Sequence, residues 1–270
     1  MKLRCFTFLV LGILPMLYCP YTAVAQLSTF AVLGGSTVTN TGPTIVTGNL
    51  GVSAGSAVTG FPPGIVITGT IHAADAVAAQ AQSDLTTLYT QLAGTACNTN
   101  LTGQDLGTLA PLIPGVYCFD TSAQLTGTLT LDAQNNPNAI FLFKIGSTLT
   151  TASNSIVRLI NSTSNCGGVL WQVGSSATLG TGTTLIGSIV ALTSITLTTG
   201  ASMNGRVLAR NGAVTLDTSP VTVCSAALVG PGLPPSATGA PAMSVPALAG
   251  LALLLAGLGS VLVRKAQTRG

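Results

Sequence analysis

Between Gly34 and Gly60 (GGSTVTNTGPTIVTGNLGVSAGSAVTG), Val or Ile alternates with Thr, and Gly interrupts the pattern repeatedly. A period of two is that of a β-strand with one buried face. Ile65-Val66-Ile67-Thr68-Gly69 continues the texture. In the second half, five stretches can be laid under one another: LDAQNN from Leu131, LTTASNS from Leu149, LGTGTTL from Leu179, LTTGASM from Leu197 and LDTSPVT from Leu216. Each leucine follows a threonine, and successive leucines lie 18, 30, 18 and 19 residues apart. From the second stretch onward, Thr151, Thr181, Thr199 and Thr218 share one place, each followed by a small residue. The 30-residue step holds an extra segment, Asn161–Gly168, with Cys166 inside it.

A repeat near 18 residues suits one turn of a β-solenoid with three short strands per coil. Leu, Ile and Val then stack inward, and Thr, Ser and Asn stack outward in ladders. Thr suits such a ladder because it is β-branched and carries a hydroxyl that can face water. Between the halves the period changes. Val77, Ala81, Leu85, Leu88 and Leu92 recur at three- and four-residue steps, which predicts a helix over about Ala73–Ala93 with Gly94 as its stop. The expected fold is therefore mainly β: a three-sided β-solenoid with one long α-helix packed alongside. Residues 95–120, around two cysteines, are expected to form a loop or cap, because solenoid ends expose unpaired strand edges.

Composition narrows the chemistry. Only 6% of the residues are charged, and all six acids are Asp. Between Gln26 and Cys224 the four bases (Lys144, Arg158, Arg206, Arg210) against those six acids leave 4 − 6 = −2, so the overall +3 comes from the chain ends. Nucleic-acid binding needs a basic stripe, and this body has none. The Asp residues are scattered, no catalytic or phosphate-binding motif occurs, and the single His72 is expected to cap or orient the helix start. Asp132 and Asp217 share a slot in their repeats, but the intervening coils lack acids there. No enzyme activity, metal or cofactor is expected. Arg206 and Arg210 are expected to pair with Asp or pack their stems, Trp171 to lie in the core or under a cover, and Lys144 to point outward from a strand.

Residues 1–25 read as a secretory signal peptide: Lys2 and Arg4, an apolar run from Phe6 to Leu17, then Ala23-Val24-Ala25 as the cleavage site. The run is short for a membrane anchor, and Tyr18 is a poor neighbour for a lipidated Cys19. Residues 225–244 have linker composition, rich in Pro, Gly, Ala and Ser. Val245–Val263 is almost wholly apolar and precedes Arg264, Lys265 and Arg269. Residues 245–270 resemble PEP-CTERM-type sorting tails, with Ala247 departing from that pattern; a permanent single-pass anchor is the alternative. The body is then residues 26–224, secreted or held at a bacterial cell surface, with membrane or sorting machinery as a partner of the tail. Cys97, Cys118, Cys166 and Cys224 remain after the signal, and an even number in an exported chain suggests disulfides. Three connectivities are possible, and the sequence-local one, Cys97–Cys118 with Cys166–Cys224, is the expectation.

Three segments, Phe30–Gly64, Gly69–Leu85 and Val169–Leu216, resemble the microbial ice-binding protein family, and the likeness covers essentially all of residues 27–224. That resemblance implies a discontinuous, three-sided β-solenoid with a helix beside it, monomeric, with ice as the partner of one flat Thr/Ser/Asn-rich face. Some members carry T-A/G-x-T/N repeats on that face. Thr151-Ala152-Ser153-Asn154 and Thr181-Gly182-Thr183-Thr184 match, Thr199-Gly200-Ala201-Ser202 ends in Ser, and Thr218 begins a stretch that departs at two positions. The expected ice-binding residues are Thr151, Asn154, Thr181, Thr183, Thr184, Thr199, Ser202 and Thr218. A cell-surface adhesin or matrix protein on the same scaffold is the alternative.

Overall fold

The structure, a computed structural model, describes residues 26–164 and 166–224. The leader, linker and tail expected at residues 1–25, 225–244 and 245–270 lie outside the described residues. Among those described, no helix is long and apolar enough to cross a membrane.

Short parallel strands stack into a three-sided solenoid. A seven-stranded sheet makes one side, and a fourteen-stranded sheet makes the other two. The larger sheet turns a corner within two eight-residue strands, Thr184–Ala191 and Ser202–Ala209. Their first halves pair on one side (Ile156 with Thr184, Met203 with Val221) and their second halves on the next (Leu170 with Ser188, Val32 with Val207). The bends fall at Gly187 and Gly205, which face each other in register with φ of 98° and 150°. We call the three sides the ladder face (the small sheet), the helix face and the third face.

The coils do not stack in chain order. The N-terminal strands Phe30–Gly34, Thr37–Thr41 and Ile45–Thr47 sit against the C-terminal strands Ser202–Ala209, Val214–Asp217 and Val221–Thr222. This order requires a long return connection, which the helix Ala76–Gly94 supplies. Its 19 residues span about 28 Å at ~1.5 Å per residue. On the side it covers, nine strands make eight steps of ~4.8 Å, about 38 Å, so the helix runs most of the height of the stack. It leaves from strand Ile71–Ala73 at one end and delivers the chain to Thr99–Asn100 at the other. There Leu101 and Leu106 close the core, as expected of a cap, although Gly115–Phe119 is already a strand of the helix face.

The predicted apolar stripe is the buried one. Ala81, Leu85, Leu88 and Leu92 pack on Leu142, Leu170, Val190 and Leu208, with Val77 partly covered. Each fully buried leucine contributes about 1.5–3 kcal/mol. Inside the coils, Tyr117, Phe143 and Trp171 stack across three adjacent strands, with ring centroids 5.5 and 4.2 Å apart. Trp171 is a core residue whose Nε1 donates to the carbonyl of Ile186 at 3.0 Å. Lys144 does point out of its strand, but toward the helix end, where its ammonium donates to the Thr95 carbonyl. Arg210 reaches Thr86 Oγ1 at 3.2 Å and lies over the Tyr89 ring, and Arg206 binds backbone carbonyls; neither of these bonds is to an Asp. Asp132 and Asp217 lie on different sides of the solenoid, paired with Ile160 and Thr41. Both disulfides take the sequence-local connectivity.

The helix begins three residues later than its periodicity predicts, because Asp75 is the N-cap and accepts from the Ala78 amide at 2.8 Å. His72 Nδ1 lies 2.7 Å from the second Asp75 oxygen, so His72 does orient the helix start. The Ala78 amide and the bond to His72 hold the Asp75 carboxyl below its ordinary value of 3.8. A depressed folded-state pKa adds stability above the unfolded value and loses it as pH falls through the folded one. Asp75→Asn keeps an oxygen for Ala78 but removes the charge. The gap in melting temperature between the two proteins should therefore close below about pH 4. A gap that persists to pH 2 would contradict this account.

Candidate functional site

The ladder face is built from seven three-to-five-residue strands in the spatial order Ala123–Leu125, Leu149–Thr151, Ala177–Leu179, Ile195–Leu197, Val214–Asp217, Thr37–Thr41 and Ala57–Thr59. Four of them place an apolar side chain inward on each side of one outward residue; Thr151 and Asn40 take one inward place in two others, and Ala57–Thr59 turns only Val58 inward. The inward row Ala123, Leu149, Ala177, Ile195, Val214 and Val38 is buried at 0–2% exposure, which locks the register. A slip of one residue would turn that row out to water.

The outward central row is Gln124, Thr150, Thr178, Thr196, Thr215, Thr39 and Thr59. Six threonines thus follow one another at the interstrand step of ~4.8 Å, over roughly 24 Å. Among the described residues, no protein group hydrogen-bonds the hydroxyls of Thr59, Thr150, Thr178 or Thr196, and Thr39 donates to Thr215 at 3.3 Å. The flanking row differs. Ser122, Ser176 and Ser194 accept from the backbone amides of Thr148, Ser194 and Ala213, at 3.3–3.4 Å, so they bind the coils to one another. The other rim carries one carboxylate, Asp217, which accepts from the hydroxyls of Thr199 and Thr218. The central row itself carries no charge.

The third face is less regular. Its outward positions mix Thr128, Ile156, Thr184, Ser202, Pro220, Ile45 and Ile65, and Arg158 projects from it to Thr130 Oγ1. Ile45, Ile65, Ile67 and Ile156 are exposed there. The helix covers the remaining side. No group of three or more His, Cys, Asp or Glu suited to a metal occurs among the described residues.

The eight residues expected from the sequence do not share a face. Thr151 and Thr183 are inside the solenoid at 4% and 0% exposure, with their hydroxyls 2.8 Å apart. Asn154, Thr181, Thr199 and Thr218 occupy turns at the corner between the ladder face and the third face. These turns are stacked, with the Asn154 amide on the Thr181 carbonyl and the Gly182 amide on that of Thr199. Thr184 and Ser202 are neighbours on the third face, Ser202 Oγ donating to Thr184 at 3.2 Å.

The register explains the displacement. Leu149 pairs with Ala177 and not with Leu179, so Thr151 takes the inward place of Leu179 and Leu197. A slip of two residues keeps leucine inside and escapes notice in a pattern of period two. Leu131 belongs to the third face, paired with Leu159. The ladder itself was signalled by the threonine preceding the leucine: Thr178, Thr196 and Thr215 point out because Leu179, Leu197 and Leu216 point in.

Thr151→Val tests this correction. It leaves the Gly180 amide, which donates to Thr151 Oγ1 at 2.9 Å, without its acceptor. The expected cost is about 1–3 kcal/mol in urea unfolding, with surface activity of the remaining folded protein unchanged. A loss of surface activity at full stability would place Thr151 outside.

Three comparisons bear on this site. The sequence profile described as Ice-binding-like matches residues 32–222. An ice-binding protein of Nostoc sp. (strain HG1) is 61% identical over 196 residues, 72% of this chain and 71% of that one. Crystal structures of ice-binding proteins from an Antarctic biological consortium and from the Antarctic ascomycete Antarctomyces psychrotrophicus superpose with TM-scores of 0.71 and 0.70. Their identities are 41% and 36%, and the matches cover 78% and 74% of this chain and 96% and 97% of theirs.

Proposed function

Because this chain belongs to the ice-binding-like family, we propose that it adsorbs to ice through the ladder face. The observation that carries the reading is the in-register central row of six threonines, four of whose hydroxyls have no protein partner among the described residues. An ice surface is a fixed lattice of water. A protein that joins it must offer a flat, regular array without charges that impose a different hydration. Each threonine supplies a methyl and a hydroxyl, and each contact is weak. The array is ordered before binding, so adsorption costs little conformational entropy and many small gains add.

The same face offers no nucleophile–base pair and no carboxylate couple, and no reaction is assigned to it. The leader read in residues 1–25 and the two disulfides fit an exported protein in an oxidising compartment. The test uses residues 26–224. Among the described residues, both core clusters and both disulfides close within that segment, and it is expected to fold without its flanking residues. The purified body should show thermal hysteresis and inhibit ice recrystallisation. A folded sample with neither activity would falsify the reading.

A further inference from the structure

The seven ladder strands contain one charged residue, Asp217. It is half-buried and lies two residues beyond Thr215, in the fifth strand of the stack, so it is no end effect. Thr41 stands beside it in register on the next strand. Its oxygens accept from the hydroxyls of Thr199 and Thr218, and on the neighbouring coil Thr198 Oγ1 donates to the Leu179 carbonyl at 2.7 Å. On this rim the hydroxyl protons are therefore used inside the protein. The opposite rim is reversed. Ser176 and Ser194 accept from backbone amides of the next coil, at 3.3 Å each, which leaves their own protons for water.

Water held by a carboxylate turns its protons toward the charge from every side. A water in ice has fixed directions and donates as often as it accepts, so such a shell cannot be continued as crystal. Stripping the shell instead leaves a desolvated ion, and hydroxyl contacts do not offset that cost. We propose that Asp217 is the boundary residue of the ice contact: its charge ends the adsorbed lattice at the central threonine row, so the contact runs one-sidedly from that row to the serine rim. The proposal rests on the ice-binding reading above and adds the extent of the contact and the group that limits it.

The strand Thr37–Thr41 reaches both rims. Its outward residues are Thr37 on the serine side, Thr39 in the central row and Thr41 on the carboxylate side. Successive outward residues lie about 7 Å apart along a strand, so Thr37 and Thr41 stand equally far from the row. Neither hydroxyl has a hydrogen-bond partner among the described residues. They differ in that only Thr41 has the carboxylate as its neighbour.

The experiment measures thermal hysteresis of the full chain, each variant being shown folded by its melting curve. Thr37→Tyr is expected to remove most of the activity and Thr41→Tyr little of it. Asp217→Asn removes the charge and keeps an oxygen for Thr199 and Thr218, and it should raise activity above the native level. In the Asp217→Asn background, Thr41→Tyr should now cost at least about twofold, a coupling that a purely structural role of Asp217 does not produce. Asp217→Thr, which continues the row between Thr198 and Thr41, repeats the comparison should the Asn variant unfold. Thr41→Tyr costing as much as Thr37→Tyr in the native background overturns the one-sided contact. A harmless Thr41→Tyr in both backgrounds, or an Asp217→Asn no more active than the native chain, overturns the role of Asp217 and leaves the ice-binding reading standing. A folded native chain without activity fails that reading itself, and this proposal with it.

Discussion

Thermal hysteresis is expected to fall nearly to that of buffer when Thr196 is replaced by Tyr. Thr196 is the outward residue of the fourth of seven strands, with Thr178 and Thr215 directly beside it in register. A phenol ring there stands several ångströms above the plane of its neighbours and holds the coils on either side away from a flat crystal. Because adsorption sums many weak contacts, losing coplanarity at the centre removes far more than one contact. The backbone has no reason to respond. Tyr is a good strand residue, Thr196 makes no hydrogen bond through its hydroxyl, and surface changes away from special features usually stay within about 0.5 kcal/mol. The melting curve should be unchanged while the ice activity is lost. Thr181→Tyr and Thr199→Tyr, in the corner turns, should cost much less. If the corner variants lose as much activity as Thr196→Tyr, or Thr196→Tyr keeps it, the ladder face is not the contact surface.

The largest effect on stability is expected from Gly205→Ala. A Cβ on Gly205 would lie 1.6 Å from the carbonyl oxygen of Gly187, an overlap that only backbone movement can relieve. Its φ of 150° is also a conformation that residues with a Cβ rarely adopt. Relief would require Gly187 to move, and its backbone is in turn packed closely against Val169 in the next coil. Widening the corner would separate the coils and pull Arg206 from the carbonyls of Ser28 and Cys224. The expected loss exceeds about 4 kcal/mol, the range of exceptional substitutions. For a body of this size that corresponds to a fall in melting temperature of roughly 8–16 °C. Gly200→Ala is the contrast: nothing lies within 4 Å of its Cβ, and only its positive φ, 73°, opposes the change. Equal losses at the two glycines would show that the close approach at the corner is not what matters.

Much of this protein is legible in its residues because the signals are local. Alternation of Val, Ile and Leu with Thr specifies strands with one buried side, and a change of period from two to 3.6 specifies the helix and its buried stripe. The scarcity of charge rules out a basic binding face. The four cysteines in sequence-local order anticipate the disulfides. His72 was recognisable as a residue that caps or orients the helix start, and the structure adds that it acts through Asp75.

What the residues alone could not place is whatever depends on register between coils. The alignment by leucine puts Thr151 beside Thr181 and Thr199, whereas pairing of Leu149 with Ala177 turns Thr151 inward and makes Thr150 its exposed neighbour. Inward and outward positions repeat every two residues, so a slip of two costs the pattern nothing and only the spatial pairing resolves it. The same holds for the stacking of Thr39 on Thr215, residues far apart in the chain that meet because the helix carries the intervening connection back along the stack. Chain order determined that there would be coils, their lining and their outward threonines. Tertiary packing decided which threonines line up, because a row across strands is set by hydrogen bonds between segments whose separation along the chain carries no fixed rule.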